Sequence, residues 1–209
     1  LETKAVRTVK DNLKEIAAGE EEACEKLMYA LVLSGLAMQM TGNSRPASGA
    51  EHHLVHLWDM EVVNGHLDAL HGEKVSAGTM LVLLEYKKIA DAIRKGNCKV
   101  HTCTEEDREL LQSTFGKKGI LGAIEKENTP ELLDDVSTKE LSDTLPGILK
   151  IIDALPAVTD MQEMMNTAGC VSRVRDIGLP GEVIEESLRL APYTRRRLSL
   201  LRLRKMLTY

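Results

Sequence analysis

A chain of 209 residues is long enough to bury roughly 70% of its unfolded surface without disulfides or metals as staples. Hydrophobic residues make up 43% and charged residues 28%, but the aromatics are one Trp, four Tyr and one Phe, so the core must come from Leu, Ala, Val, Ile and Met, a composition that favours helices over sheets. With 27 Lys and Arg against 32 Asp and Glu the formal charge is −5, which excludes a surface that tracks nucleic acid throughout and makes an acidic membrane a poor partner.

Apolar positions Ala5, Val6, Val9, Leu13, Ile16 and Ala17 recur every three to four residues and predict a first helix over 5–17, ended by Gly19. A second helix is expected over 20–40; its acidic start suits a helix amino end. It is apolar nearly all round from Leu27 onward, the pattern of a helix buried in the middle of a domain. Gly42, Asn43 and Pro46 break the chain, and Ser48-Gly49-Ala50-Glu51 has the form of a capping box that opens a third helix, fading near Asn64-Gly65. A fourth helix is expected from about His71 to a stop at Gly96, followed by shorter ones over 105–114, 119–127, 138–155, 160–170, 181–190 and 194–207. No alternating strand pattern, internal repeat or low-complexity linker interrupts them, so the reading is one all-α, multi-helix domain spanning 1–209.

The longest apolar stretch, Leu27 to Met38, already contains Ser34 and Gly35 and falls short of the roughly 20 residues a spanning helix needs. No apolar leader follows Leu1, and Cys24, Cys98, Cys103 and Cys170 are scattered as reduced thiols would be. A cytoplasmic location is the expectation.

Five of the six histidines, His52, His53, His56, His66 and His71, fall within twenty consecutive residues. On a helix begun at Ser48, His52 and His56 share a face, whereas His53 is rotated by about 100°. His71 opens the next helix, and a helix-turn-helix return can bring it opposite His52. Two imidazoles converging from neighbouring helices suit a borderline divalent cation such as zinc, nickel or iron. The alternative is a chance cluster of surface or capping histidines.

Upstream, Gly42-Asn43-Ser44-Arg45-Pro46-Ala47-Ser48-Gly49 places an arginine and hydroxyls at a helix amino end, where free N–H groups favour an anion such as phosphate. Alternatively Arg45 is an exposed turn residue and Ser48 only a cap. Cys98-Lys-Val-His-Thr-Cys103 lacks a second thiol pair at zinc-finger spacing, so a structural metal is not expected there. Arg195, Arg196, Arg197, Arg202, Arg204 and Lys205, interleaved with leucines, read as the solvated face of an amphipathic terminal helix. A metal phosphohydrolase fails because no His-Asp dipeptide occurs.

The string Ser34-Gly-Leu-Ala-Met38, Gly-Asn-Ser-Arg-Pro-Ala-Ser-Gly-Ala-Glu-His52, His56, His71-Gly-Glu-Lys-Val and Gly78-Thr79 resembles the carboxyl-terminal half of sn-glycerol-1-phosphate dehydrogenases. These belong to the superfamily of iron-containing alcohol dehydrogenases and dehydroquinate synthases. The likeness is sharpest over about forty-five residues, with a weaker echo in Ala191-Pro-Tyr-Thr-Arg195.

The resemblance implies an all-α domain that in the family follows a nucleotide-binding domain, with the active site in the cleft between them. That first domain and its glycine-rich loop are not in this sequence, so NAD(P)H would be bound mainly by the missing domain and the chain alone is expected to be inactive. His52 and His71 match the family's metal-ligating histidines; His56 matches a histidine that faces the substrate. The implied reaction is hydride transfer between the nicotinamide and dihydroxyacetone phosphate, a small phosphorylated ketone, giving sn-glycerol 1-phosphate. By chemistry alone, Arg45 and Ser48 would bind the phosphate. A homo-oligomer is expected, with no nucleic-acid or membrane partner. The competing reading is a noncatalytic helical module that oligomerises or binds a partner.

Overall fold

Eleven α-helices, linked by 3₁₀ turns and joined by a single pair of two-residue strands, make up the described residues of the computed structural model, 1–103 and 107–209. The expected first helix is broken into α1 (Glu2–Asp11) and α2 (Leu13–Ala17) at Asn12, whose φ of −121° leaves the helical region. The Asn12 amide donates to the Thr8 carbonyl at 2.8 Å and accepts from Lys26 Nζ at 3.1 Å, the competition with backbone that lets asparagine interrupt a helix. Gly19, at φ +75°, then reverses the chain.

Helix α3 (Glu21–Thr41) folds back on α1 around Ala5, Ala30 and Leu33, with Ser34 Oγ donating to Glu2 at 2.8 Å. The expectation that this helix is buried on all sides is overturned: it buries Ala23, Ala30, Leu33 and Ala37, while Met28, Leu31, Val32, Leu36 and Met40 are exposed. It packs mainly against α1 and α2, and two short helices cannot cover the circumference of a third.

The main core is built by α4 (Ala50–Asp59), α5 (His71–Arg94) and the carboxyl-terminal region. Leu54, Leu57 and Trp58 of α4 meet Phe115, Leu188 and Leu190, all at most 2% exposed. Each such side chain contributes about 1.5–3 kcal/mol on burial. The Trp58 indole N–H, which burial would otherwise orphan, donates to Ser187 Oγ at 3.0 Å.

The far end of α5 enters a second core. Ile89 and Ala90 pack there with Leu133, Met206 and the apolar face of a later helix, Leu141, Leu145 and Ile152. The two strands, β1 (Lys99–Val100) and β2 (Leu207–Thr208), pair antiparallel beside it. Between them lie α6 (Arg108–Thr114), α7 (Leu121–Glu127), α8 (Thr138–Asp153), α9 (Val158–Thr167) and α10 (Ile184–Leu190), shorter than the expected spans. The expected start at Glu105 lies outside the described residues.

The expected terminal helix over 194–207 does not form. The turn Ala191–Thr194 leads into an extended stretch from Arg195, then α11 (Leu200–Leu203) and a last turn, Arg204–Met206. The cause is Arg202, 1% exposed, whose guanidinium donates to the carbonyls of Pro192 and Arg195, to Asn128 and, at 2.7 Å, to Glu131. These bonds hold the Ala191–Thr194 turn and the extended Arg195 in place. Among the described residues no helix is long and apolar enough to cross a membrane.

Candidate metal and substrate site

The two histidine-bearing helices begin with the same device. Glu51 Oε1 accepts from the Gly49 N–H at 2.7 Å, and Glu73 Oε2 accepts from the Leu70 N–H at 2.7 Å, each carboxylate reaching back to the residue that precedes its helix. The capping box centred on Ser48 is thereby corrected: α4 starts at Ala50 with Gly49 as its cap and no side-chain cap. Ser48 is held by its carbonyl, which accepts from Arg197 Nη1 at 2.8 Å.

Close approach of α5 to α4 occurs at Gly78, where an added Cβ would lie 3.2 Å from the Glu51 carbonyl oxygen. With the helices this near, the His52 and His71 rings converge to 5.7 Å between centroids, tilted by 53°. His52 Nδ1 lies 2.8 Å from Glu51 Oε1; an Nδ1–H donating to this carboxylate leaves the Nε2 lone pair available. Such a carboxylate–imidazole pair fits a metal ligand, and two converging imidazoles fit two coordination positions of a divalent cation. Among the described residues no group of three His, Cys, Asp or Glu side chains converges to complete a coordination shell.

His56 is half-buried on α4. Burial, then the positive charge of Arg195, pushes its pKa below the usual histidine value, with His52 and His71 adding to the effect and Asp59 opposing it. It is therefore neutral at pH 7 and able to accept a proton. The other histidines of the cluster go elsewhere. His53 is 1% exposed, lacks a hydrogen-bond partner on either ring nitrogen, and is pushed down to about 4, chiefly by burial and then by Arg197. His66 is exposed and pairs with Glu61 at 3.0 Å.

Arg45 is exposed in the loop before α4, its N–H donating to Asn43 Oδ1 at 2.9 Å in a local turn. The sequence reading missed Arg197, whose Nη2 also donates to Ser44 Oγ at 2.8 Å and so ties the chain's end to this loop. Its run of three arginines begins at the last residue of the Ala191–Arg195 stretch, which was the available signal. Cys98 and Cys103 pack against the second core, and burial raises both thiols.

A cavity of about 880 Å³ lies apart from the His52–His71 pair, lined by Glu85, His101, Asp107, Arg204, Lys205 and Tyr209 among others. Its charges answer one another: Arg204 meets Glu85 at 2.6 Å and Lys205 meets Asp107 at 3.2 Å. These pairs hold the chain's end to α5 and α6 and leave the histidine pair as the site with unspent chemistry.

No family model matches the chain. Over 192 residues it is 33% identical to a glycerol-1-phosphate dehydrogenase [NAD(P)+] of Halalkalibacterium halodurans and 28% identical to one of Geobacillus stearothermophilus, in each case 91% of this chain. A shorter stretch of 83 residues is 41% identical to the Pyrococcus horikoshii enzyme, 38% of this chain and 23% of that one. The chain spans about 40% of the length of the first two relatives. The chain is homologous to proteins named glycerol-1-phosphate dehydrogenase [NAD(P)+], and its described residues form a helical fold with a single two-stranded pair.

Proposed function

We propose that this chain is the metal- and substrate-binding helical half of a cytoplasmic, oligomeric dehydrogenase that interconverts dihydroxyacetone phosphate and sn-glycerol 1-phosphate with a nicotinamide cofactor. The convergence of His52 and His71 at 5.7 Å, in a chain homologous to enzymes of that name, carries the reading. His52 and His71 would hold one divalent cation, zinc, nickel or iron, which when bound supplies a Lewis acid for the substrate's ketone. Glu51 keeps His52 in the tautomer that presents Nε2. His56, neutral at pH 7, accepts the alcohol proton in one direction and returns it in the other. Arg45 and Ser48 line the phosphate end, while the dinucleotide is bound mainly by a domain outside this chain. Zinc binding by the 209-residue chain tests the ligand pair: His71→Ala should abolish saturable binding. Unchanged stoichiometry in the variant would overturn the assignment.

A second reading, a noncatalytic helical module that self-associates, is favoured by Met28, Leu31, Val32 and Leu36 standing exposed on α3. Sedimentation tests the self-association, which Val32→Asp should abolish; zinc binding that depends on His71 separates the first reading from a module without a metal site.

A further inference from the structure

We propose that Arg195, backed by Arg197, forms a phosphomonoester site beside His56, on the strap that crosses the start of α4. That the phosphate belongs to the ketone substrate rests on the dehydrogenase reading; the anion site itself does not.

The strap is pinned at both ends. On one side of Arg195, Thr194 Oγ1 donates to the His53 carbonyl of α4 at 3.3 Å. On the other, Arg197 donates to the Ser48 carbonyl and to Ser44 Oγ, both at 2.8 Å. From beneath, the buried Arg202 donates to the Arg195 carbonyl at 3.2 Å. Arg195 is therefore held against the helix that carries His52 and His56, with its side chain exposed to solvent. Its charge weighs on His56 more than any other single charge.

The arginines packed against the two cores are paired, and those of this cluster are not. Arg94, Arg189, Arg202 and Arg204 each have a carboxylate within 2.7 Å. Among the described residues, Arg45, Arg195, Arg196 and Arg197 have none, in a chain whose formal charge is −5. Arg197 spends its donors on neutral oxygens and so keeps its full charge, and Arg196 turns away to the Pro130 carbonyl at 2.9 Å. Arg195 makes no side-chain hydrogen bond among the described residues. A planar guanidinium with free donors, a second uncompensated charge behind it and the Ser44–Ser48 loop alongside match the two negative charges and three oxygens of a phosphomonoester.

Titration of the 209-residue chain with inorganic phosphate at fixed ionic strength tests the proposal. Arg195→Gln should raise the phosphate Kd at least tenfold and Arg195→Lys by less. Arg196→Gln should stay within twofold, and all variants should keep the parent's unfolding midpoint. Equal phosphate affinity in Arg195→Gln and the parent, or no saturable binding by the parent, overturns it. Turnover in the longer enzyme separates this from the dehydrogenase reading. If Arg195-dependent phosphate binding persists without turnover of dihydroxyacetone phosphate, the anion site stands and the dehydrogenase reading falls. Turnover whose kcat/KM is unmoved by Arg195→Gln keeps that reading and shows that the substrate's phosphate does not dock at Arg195.

Discussion

Gly78 and Glu51 are in contact through their backbones: a Cβ on the glycine would sit 3.2 Å from the Glu51 carbonyl oxygen and 3.7 Å from its Cα. Neither atom is the free end of a side chain, so relief must come from α4 and α5 moving apart by a few tenths of an ångström, one residue away from His52. Gly78→Ala is therefore expected to cost about 1–3 kcal/mol of stability, as overpacking does, and to weaken zinc binding by shifting His52 against His71. Thermal unfolding and a zinc titration on one preparation check both. An unshifted midpoint with parental affinity would mean that the helix spacing tolerates a methyl group.

Glu51 serves two partners, the Gly49 N–H at 2.7 Å and His52 Nδ1 at 2.8 Å. Glu51→Gln keeps an acceptor for the first but replaces a carboxylate with a neutral amide at the second. Loss of such a partner typically lowers metal affinity about 10–100-fold, whereas the loss of stability should be about 1 kcal/mol. Competition against a chelator measures the affinity; a change under twofold would remove Glu51 from the site.

Acid stability should depend on two buried carboxylates remote from the histidines. Burial alone would raise Asp107, but the hydrogen bond from Arg189, the Lys205 charge and the Tyr193 hydroxyl more than offset it, leaving its pKa below the usual value. Glu85 is likewise raised by burial and lowered further by Tyr209, Arg204 and Lys88, with a net downward shift. A carboxylate whose folded pKa is depressed contributes stability that is fully present above its unfolded value, about 3.9 for Asp and 4.3 for Glu, and lost as pH falls through the lower folded value. Urea midpoints should hold between pH 7 and 5 as far as these groups are concerned and drop below about pH 4. Asp107→Asn should lower the midpoint at pH 7 and flatten the acid limb; an acid limb parallel to the parent's would show that Asp107 is not responsible.

Helix ends that depend on local chemistry were legible: Gly19, Gly42 and Gly96 mark reversals at positive φ, and the helices over 138–155 and 160–170 differ only at their ends. The convergence of His52 and His71 was legible too, because one lies in the first turn of its helix and the other opens the next. Features decided by distant partners were not. Ser48 looked like a cap because its neighbours have the capping pattern, yet Arg197, 149 residues away, takes its carbonyl. The apolar circumference of α3 predicted burial, but periodicity describes what a helix can bury and not which elements exist to cover it. Arg202 sat in an amphipathic pattern with an arginine's usual exposure, and only its four acceptors, drawn from 128–131 and 192–195, bring it inside.

Arg202 should accordingly be the arginine whose loss the fold tolerates least. It is 1% exposed, and removing it strands the Asn128 amide oxygen, the Pro192 carbonyl and the Glu131 carboxylate, of which Glu131 carries charge and is itself partly buried. Arg202→Leu replaces the volume but not the donors, and breaking a buried pair from one side typically costs about 3–5 kcal/mol. Arg202→Lys restores the charge at a single point and cannot reach all four acceptors, so it should recover only part of the loss. The same guanidinium holds the Arg195 carbonyl at 3.2 Å, which links stability to the strap over α4. In hydrogen exchange, the Arg197 amide, which donates to the Arg195 carbonyl at 2.9 Å, should lose protection in both variants beyond what the global destabilisation accounts for. Urea unfolding supplies that global value. If Arg202→Leu costs less than about 1 kcal/mol, or if Arg197 exchange merely tracks global unfolding, the strap is held by Thr194 and Arg197 alone.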